Sequence, residues 1–352
     1  MIPFFTGVRV IAGLELRQRV RGVAWYVLVG LFGVVVLIVT GLLIWGFRAL
    51  SGGYDSDPGG NAIFSTIVYL VLLLGTLVAP AFSGNAINGD REAGTLATTQ
   101  VTLVSTPQLV IGKFVAAWIS SLAFLAIAAP FLVVSLVIGG TTVGMVLVSL
   151  LVLAVELAVI SAIGVGLSGL LRRPLFSVAV TYLVVAALSV GTLISFGLGT
   201  LVAQERYEYR SATYDYDDST GNSECIVSDT TTEGTRPRPD YVWWLLAANP
   251  YVVMADAVPT RYGSGDAPSD LFGWIKLGVR SLQQPPDSSL VDDPCNYRSD
   301  RSPSPHEVID RSVPSWFVGL AIHLALAALA LVGAIRATRA PARRLAAGSR
   351  IA

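Results

Sequence analysis

The sequence predicts an all-α integral membrane protein with six transmembrane helices, and three observations carry that expectation. Hydrophobic residues make up 53% of the chain and charged residues only 14%, against roughly a quarter charged in soluble domains. The apolar residues gather into six runs, at Val23 to Phe47, Ala62 to Ser83, Phe114 to Ile138, Val143 to Leu171, Leu175 to Ala203 and Ser315 to Ile335. Each meets the requirement of about 20 residues for a crossing. The Lys and Arg residues of the short loops fall on alternate sides of these runs, which sets an orientation.

Residues 1–22 form the first element. Phe4, Val8 and Ile11 recur at helical spacing, arginines occupy the remaining face, and Glu15 stands four residues before Arg19. This pattern predicts an amphipathic helix lying on the inner membrane surface. A cleaved signal peptide fits poorly, because the first apolar run is too long and follows some twenty residues carrying Arg9, Arg17, Arg19 and Arg21. Residue 1 is therefore expected in the mature chain.

Residues 23–203 hold the first five spans. Arg91 and Lys113 lie between spans 2 and 3, and Arg172 and Arg173 between spans 4 and 5; the loop after span 1 offers only Arg48 beside Asp55 and Asp57. Both termini are expected in the cytoplasm. Trp25 and Trp118 near inner ends, and Trp45 and Trp316 near outer ends, suit an aromatic belt.

Residues 204–314 are expected as a large extracytoplasmic insertion between spans 5 and 6, with 10 basic and 18 acidic residues and the only cysteines, Cys225 and Cys295. In an oxidising compartment these two can pair, constraining the unfolded chain by roughly 4 kcal/mol on the loop model; two free thiols are the alternative. Within the insertion, Tyr241 to Val258 is apolar but broken at Asn249-Pro250. It reads as a helix lying on or dipping into the outer leaflet, with a seventh crossing as the alternative. Span 6 occupies residues 315–336, and residues 337–352 form a basic cytoplasmic tail.

Catalytic and nucleotide signatures are missing. Gly112-Lys113 is followed by Phe114 and lacks the earlier glycine of a phosphate-binding loop. His306 and His323 have no companion residues at metal-site spacing, and no Gly-x-Ser-x-Gly appears. No catalytic residue, metal or cofactor is assigned to this chain.

The loop of residues 84–113 is the informative one. Asn88-Gly89 reads as a turn, Asp90 as a cap, and Gly94-Thr95 as a second break before a short lateral helix over about Leu96 to Leu103. Ser105 and Gln108, three apart, form a capping box, with Pro107 in the first turn of the next helix.

"DREAGTL", followed by Gly112-Lys113 and an apolar span, resembles the permease subunits of type-2 ATP-binding-cassette exporters, and the topology of the whole chain is similar to theirs. The resemblance implies that the loop docks on a separate ABC ATPase subunit through a coupling helix. Asp90, Arg91, Glu92, Gly94, Thr95 and Leu96 would form that contact. It implies further that ATP and Mg are held by the partner, that a second permease chain, identical or similar, completes a dimer, and that the pair works by alternating access. The other expected partner is membrane lipid, and no nucleic acid is expected. On the residues alone, Asp90, Arg91 and Glu92 can equally be helix caps. A regulatory component of an ATPase-coupled complex, without transport of its own, and a membrane-embedded enzyme are the other classes left open.

Two features remain inside the spans. Ala154, Ala158, Ala162 and Gly166 recur every fourth residue of span 4 and invite close approach of another helix, in this chain or in a second one. Glu156 lies near mid-span, where a carboxylate must be neutral, paired or facing water; a structural hydrogen bond and a substrate or proton role both fit. The 22 arginines against two lysines suit a GC-rich bacterium, and thus a bacterial plasma (inner) membrane. The substrate is not legible from Val-, Leu- and Ala-rich spans.

Overall fold

The computed structural model describes residues 3–50, 60–94, 104–217, 222–263, 266–286 and 303–338. Six of its helices are long and apolar enough to cross a membrane, and the chain is a multi-pass membrane protein. The spans run over Val23–Leu50, Gly60–Ser83, Thr106–Ile138, Val143–Leu170, Pro174–Val202 and Ser315–Thr338. The main core forms where Phe64 and Leu72 of span 2, Phe124 and Leu132 of span 3 and Leu153 of span 4 interlock. Spans 1 and 5 have only 17% of their most apolar window buried and span 6 has 22%, against 56% for span 2, so the outer faces of spans 1, 5 and 6 are free for lipid or a second chain.

Span 3 begins earlier than its apolar run. Its 33 residues reach about 50 Å at 1.5 Å per residue, against a hydrocarbon core of about 30 Å. The added turns start at the expected capping box: the Gln108 Oε1 accepts from the Ser105 backbone N–H at 2.7 Å and from its hydroxyl at 3.0 Å. The N-terminal helix Phe4–Arg21 packs on these turns. Small residues allow the approach, since a Cβ on Gly7 would meet the Gln108 side chain and one on Gly112 would meet Ile11. Gln108 Nε2 then donates to the carbonyl of Pro3 at 3.2 Å. A helix forms over the expected residues, with Gly7, Ile11 and Ala12 buried against protein, while Phe4, expected on the apolar face, is 45% exposed.

Span 6 lies along span 4, with the small-residue stripe as part of the seam. A Cβ on Gly166 would overlap Ala330, one on Gly169 would overlap Ala334, and Ala162 packs with Ala327. The lower half of the stripe thus seals a contact within the chain. Ala154 faces span 3 instead, its carbonyl accepting from Trp118 Nε1 at 2.9 Å. Trp118 therefore spends its N–H on a helix carbonyl rather than at a membrane interface.

Span 5 is interrupted by one π turn at Ala187–Gly191. After it the insertion leaves the helical pattern of the spans: Gln204–Asp217 (β1) and Asn222–Pro237 (β2) pair antiparallel as a long hairpin, with a register shift between Arg210 and Ala212. The alternation of Tyr207 and Tyr209 with Arg206, Glu208 and Arg210 is a period of two that suits a pleated ribbon. At its base Glu205 accepts from Arg236 at 3.1 Å and from Arg238 at 2.7 Å.

Beyond the hairpin the chain turns inward between the spans. Helices Trp244–Ala247 and Pro250–Ala257 meet at the expected break, where Asn249 caps the second helix by accepting from Tyr251 N–H at 2.9 Å. Met254, Ala255 and Phe272 of the insertion join the main core. Helix Leu271–Ser281 is locked to this segment by Arg280, whose Nε lies 2.8 Å from Asp256 Oδ1. The other Asp256 oxygen accepts from Ser315 Oγ at 2.8 Å and Trp316 N–H at 2.9 Å, capping the start of span 6. A desolvated carboxylate is thereby satisfied on both oxygens, as its burial requires.

Candidate functional site

The site at the base of spans 2 and 3 is built on a five-residue helix, Asn88–Glu92. Asn88-Gly89 is thus helical rather than a turn, and Asp90 lies inside the helix rather than capping the next one. Its entry is fixed by Ser168 of span 4, whose hydroxyl accepts from the N–H groups of Ile87 and Asn88 at 3.0 and 3.1 Å. Asn88 in turn donates to Ser177 Oγ of span 5 at 3.1 Å. Its exit is fixed by Gly94, with φ of 67°, a left-handed conformation that glycine adopts without strain and that ends helices. Thr95 and Leu96, and the expected lateral helix as far as Leu103, lie outside the described residues.

The three adjacent charges do three different things. Arg91 points back to the end of span 4, donating to the carbonyls of Gly169 at 2.9 Å and Leu171 at 3.0 Å and to Asn88 Oδ1 at 3.0 Å. It closes helix-end carbonyls that have no partner in the helix itself. Burial, and then the neighbouring Arg172, push its pKa down. Asp90 turns the other way, 2.8 Å from Lys113 Nζ. Glu92 is exposed.

Lys113 is the hub. Its side chain is 2% exposed, and its ammonium contacts Asp90 and also Glu15 of the N-terminal helix. Arg19, one turn beyond Glu15, donates to Phe82 O of span 2 at 3.0 Å and Ser120 Oγ of span 3 at 3.1 Å. Burial lowers the Arg19 pKa, and Glu15 opposes the shift. The N-terminal helix, the loop helix and the ends of spans 2 and 3 are therefore joined by one buried charge cluster. The sequence placed Glu15 only beside Arg19, and Lys113 only as a positive-inside residue and in the Gly112-Lys113 pair of the family resemblance. A lone lysine between a glycine and an apolar run was the available signal.

Glu156 is paired. Its Oε1 lies 3.0 Å from Nδ1 of His323 in span 6, and each side chain is 1% exposed. His323 Nε2 lies 2.9 Å from the carbonyl of Ala248, at the break in the inward segment. Sequence spacing offered His323 no partner, because the two residues stand 167 positions apart.

A cavity of about 700 Å³ opens beside that break, between span 2, the π turn of span 5 and the insertion. Leu73, Leu77, Val190 and Val252 give it an apolar wall, with Ser189 and Asn249 among its few polar groups. Asn249 Nδ2 donates to Ser189 O at 2.6 Å and to Thr192 Oγ1 at 2.9 Å, tying the break to the π turn.

Residues 53–207 match the family model described as CcmB protein, a family of membrane permease components of ABC-type haem exporters. The match covers spans 2 to 5, including the charged loop and Glu156, and less than half of the chain. No curated protein matches the sequence. The similarity supports an ABC transporter permease, a transport component rather than an enzyme. CcmB proteins work with an ABC ATPase and other subunits in a membrane complex.

Proposed function

We propose that this chain is the permease subunit of an ATP-driven ABC exporter of the type-2 kind, working as a dimer on separate ATPase subunits that hold ATP and Mg. The observation that carries the reading is the buried Lys113 cluster, in which one cation joins three elements beneath spans 2 and 3. A push on the loop helix would be passed to the bases of those spans as a unit, because moving Asp90 away from Lys113 leaves a buried charge short of a partner. Glu92, exposed at the rim of the same short helix, is the residue free to meet an ATPase surface. In this reading both termini are cytoplasmic, the insertion faces outward, and Cys225 and Cys295 form a disulfide there in a bacterial plasma membrane.

The cavity supports an apolar substrate class. Its lining among the described residues is hydrocarbon with a few hydroxyl and amide groups, those of Tyr182, Tyr251 and Asn249 among them. The test is ATP hydrolysis and substrate flux measured on the same reconstituted complex. Flux that follows hydrolysis and collapses in Glu92→Lys, with assembly retained, supports the permease reading. ATP hydrolysis without flux of any tested apolar compound favours the regulatory component instead.

A further inference from the structure

We infer that Glu156 and His323 form a net-neutral pair holding two protons, and that this pair clamps the broken inward segment and so positions the wall of the cavity. The protons can be counted from Ala248. A backbone carbonyl can only accept, so the 2.9 Å contact to His323 Nε2 requires a proton on Nε2. Nδ1 then faces Glu156 Oε1 at 3.0 Å, and one further proton must lie between them. That proton sits either on Nδ1, giving imidazolium and carboxylate, or on Oε1, giving neutral imidazole and carboxylic acid. The two forms have the same atoms and the same net charge of zero. Removing the proton would leave a net negative charge, with two acceptors facing each other, in a site where both side chains are 1% exposed. Burial among the spans makes that state costly.

The clamp has a reason to exist. Pro250 interrupts the inward helix, and non-helical backbone at membrane depth persists only where protein groups satisfy it. His323 satisfies Ala248. The next residue, Asn249, reaches Ser189 O and Thr192 Oγ1 of span 5, where the π turn has already displaced the regular ladder. A continuous set of hydrogen bonds therefore runs from span 4 through span 6 and the break to the span 5 wall of the cavity. Glu156 and His323 act as positioning residues. Only the consequence for transport rests on the function proposed above.

The chain has two histidines, and the side chain of His306 is 53% exposed, so nitrogen NMR of 15N-histidine-labelled protein in lipid nanodiscs reads His323 against a built-in reference. From about pH 5 to 8, where an ordinary histidine changes charge, neither His323 nitrogen resonance should shift, because Nε2 keeps its proton and the second proton stays between Nδ1 and Glu156. A pH-dependent shift of the His323 Nδ1 or Nε2 resonance within that range, or a neutral Nδ1–H tautomer, would overturn the pair.

Two substitutions test the clamp separately. His323→Gln carries an amide near the Nε2 position and can still donate to Ala248; His323→Asn carries it near Nδ1 and can reach only Glu156. Amide hydrogen exchange over residues 187–196 and 244–253 should stay near wild type in His323→Gln and rise about tenfold in His323→Asn, the scale of one lost hydrogen bond. Equal behaviour of the two variants, or the reverse order, would reduce His323 to a space-filling role. Substrate flux on the same variants keeps the two readings apart: raised exchange with unchanged flux retains the clamp and refutes its link to transport, whereas wild-type exchange in both variants refutes the clamp whatever the flux.

Discussion

Lys113 Nζ lies 2.8 Å from the Asp90 carboxylate, with the Glu15 carboxylate on its other side. One ammonium between two carboxylates is a geometry in which each anion is stabilised by the cation and destabilised by the other anion. The arrangement is therefore sensitive to the loss of its centre more than to the loss of either flank.

Lys113→Met should consequently destabilise the protein by about 2 kcal/mol, the scale of removing one charged hydrogen-bonding group from a part-buried cluster. The exposure of Glu15 and Asp90, 18% and 29%, moderates the cost because water can reach both. Adding Glu15→Gln and Asp90→Asn should recover most of it, since an apolar or neutral replacement of a whole cluster is often tolerated. Thermal unfolding of wild type, the single variant and the triple variant in one detergent checks this; a triple variant no more stable than Lys113→Met alone would show that the cluster does not act as a unit.

Neighbouring charges in the loop should separate cleanly. Glu92→Lys changes an exposed residue and should shift stability by less than about 0.5 kcal/mol, while flux per ATP falls in the complex. Arg91→Ala uncovers the Gly169 and Leu171 carbonyls and should cost about 1–3 kcal/mol before any effect on coupling is considered. Unfolding midpoints together with ATPase and flux assays tell the two apart. Normal coupling in Glu92→Lys would return that residue to the role of a solvated charge.

The insertion provides a covalent prediction. Cys225 stands on β2 opposite Tyr214, and Cys295 lies outside the described residues. Non-reducing peptide mapping of protein made in an oxidising host should return the Cys225–Cys295 cross-link. Reduction should lower stability by up to roughly 4 kcal/mol for a loop of about seventy residues. Two alkylatable thiols would remove the disulfide, and with it one support for an outward insertion.

Acid stability tests Asp270. Its Oδ1 accepts from Gly273 N–H at 2.7 Å as the cap of helix Leu271–Ser281, but Oδ2 is buried with no hydrogen-bond partner among the described residues. Burial raises its pKa, against the smaller opposing effects of the Gly273 hydrogen bond and Lys276. A raised carboxyl pKa means that this group favours the folded state below its unfolded pKa and that the benefit is lost as pH rises through the folded value. Asn at this position keeps the cap and carries no charge. Asp270→Asn should therefore match wild type in strong acid and become the more stable protein as pH rises toward neutrality. A stability difference that does not change with pH would show that the Asp270 pKa is not raised on folding.

The features legible in the chain alone are local and one-dimensional. The six spans follow from run length and composition, the start of span 3 from Ser105 and Gln108, the exit of the loop helix from Gly94, and the inward break from Asn249-Pro250, because each depends on residues within a few positions of one another. The β1–β2 hairpin left a trace in the alternation around Tyr207 and Tyr209, but run length and composition, which fix the spans, do not specify the fold of a polar insertion. Packing settled the rest: that Arg91 closes span 4, that Lys113 serves Glu15 from 98 residues away, and that Glu156 finds His323 across 167. A buried charge announces in the sequence only that it needs a partner. Which partner it gets is set by which spans pack together, and apolar surfaces of similar composition do not specify that until small residues such as Gly166 and Ala330 let two particular helices close on each other.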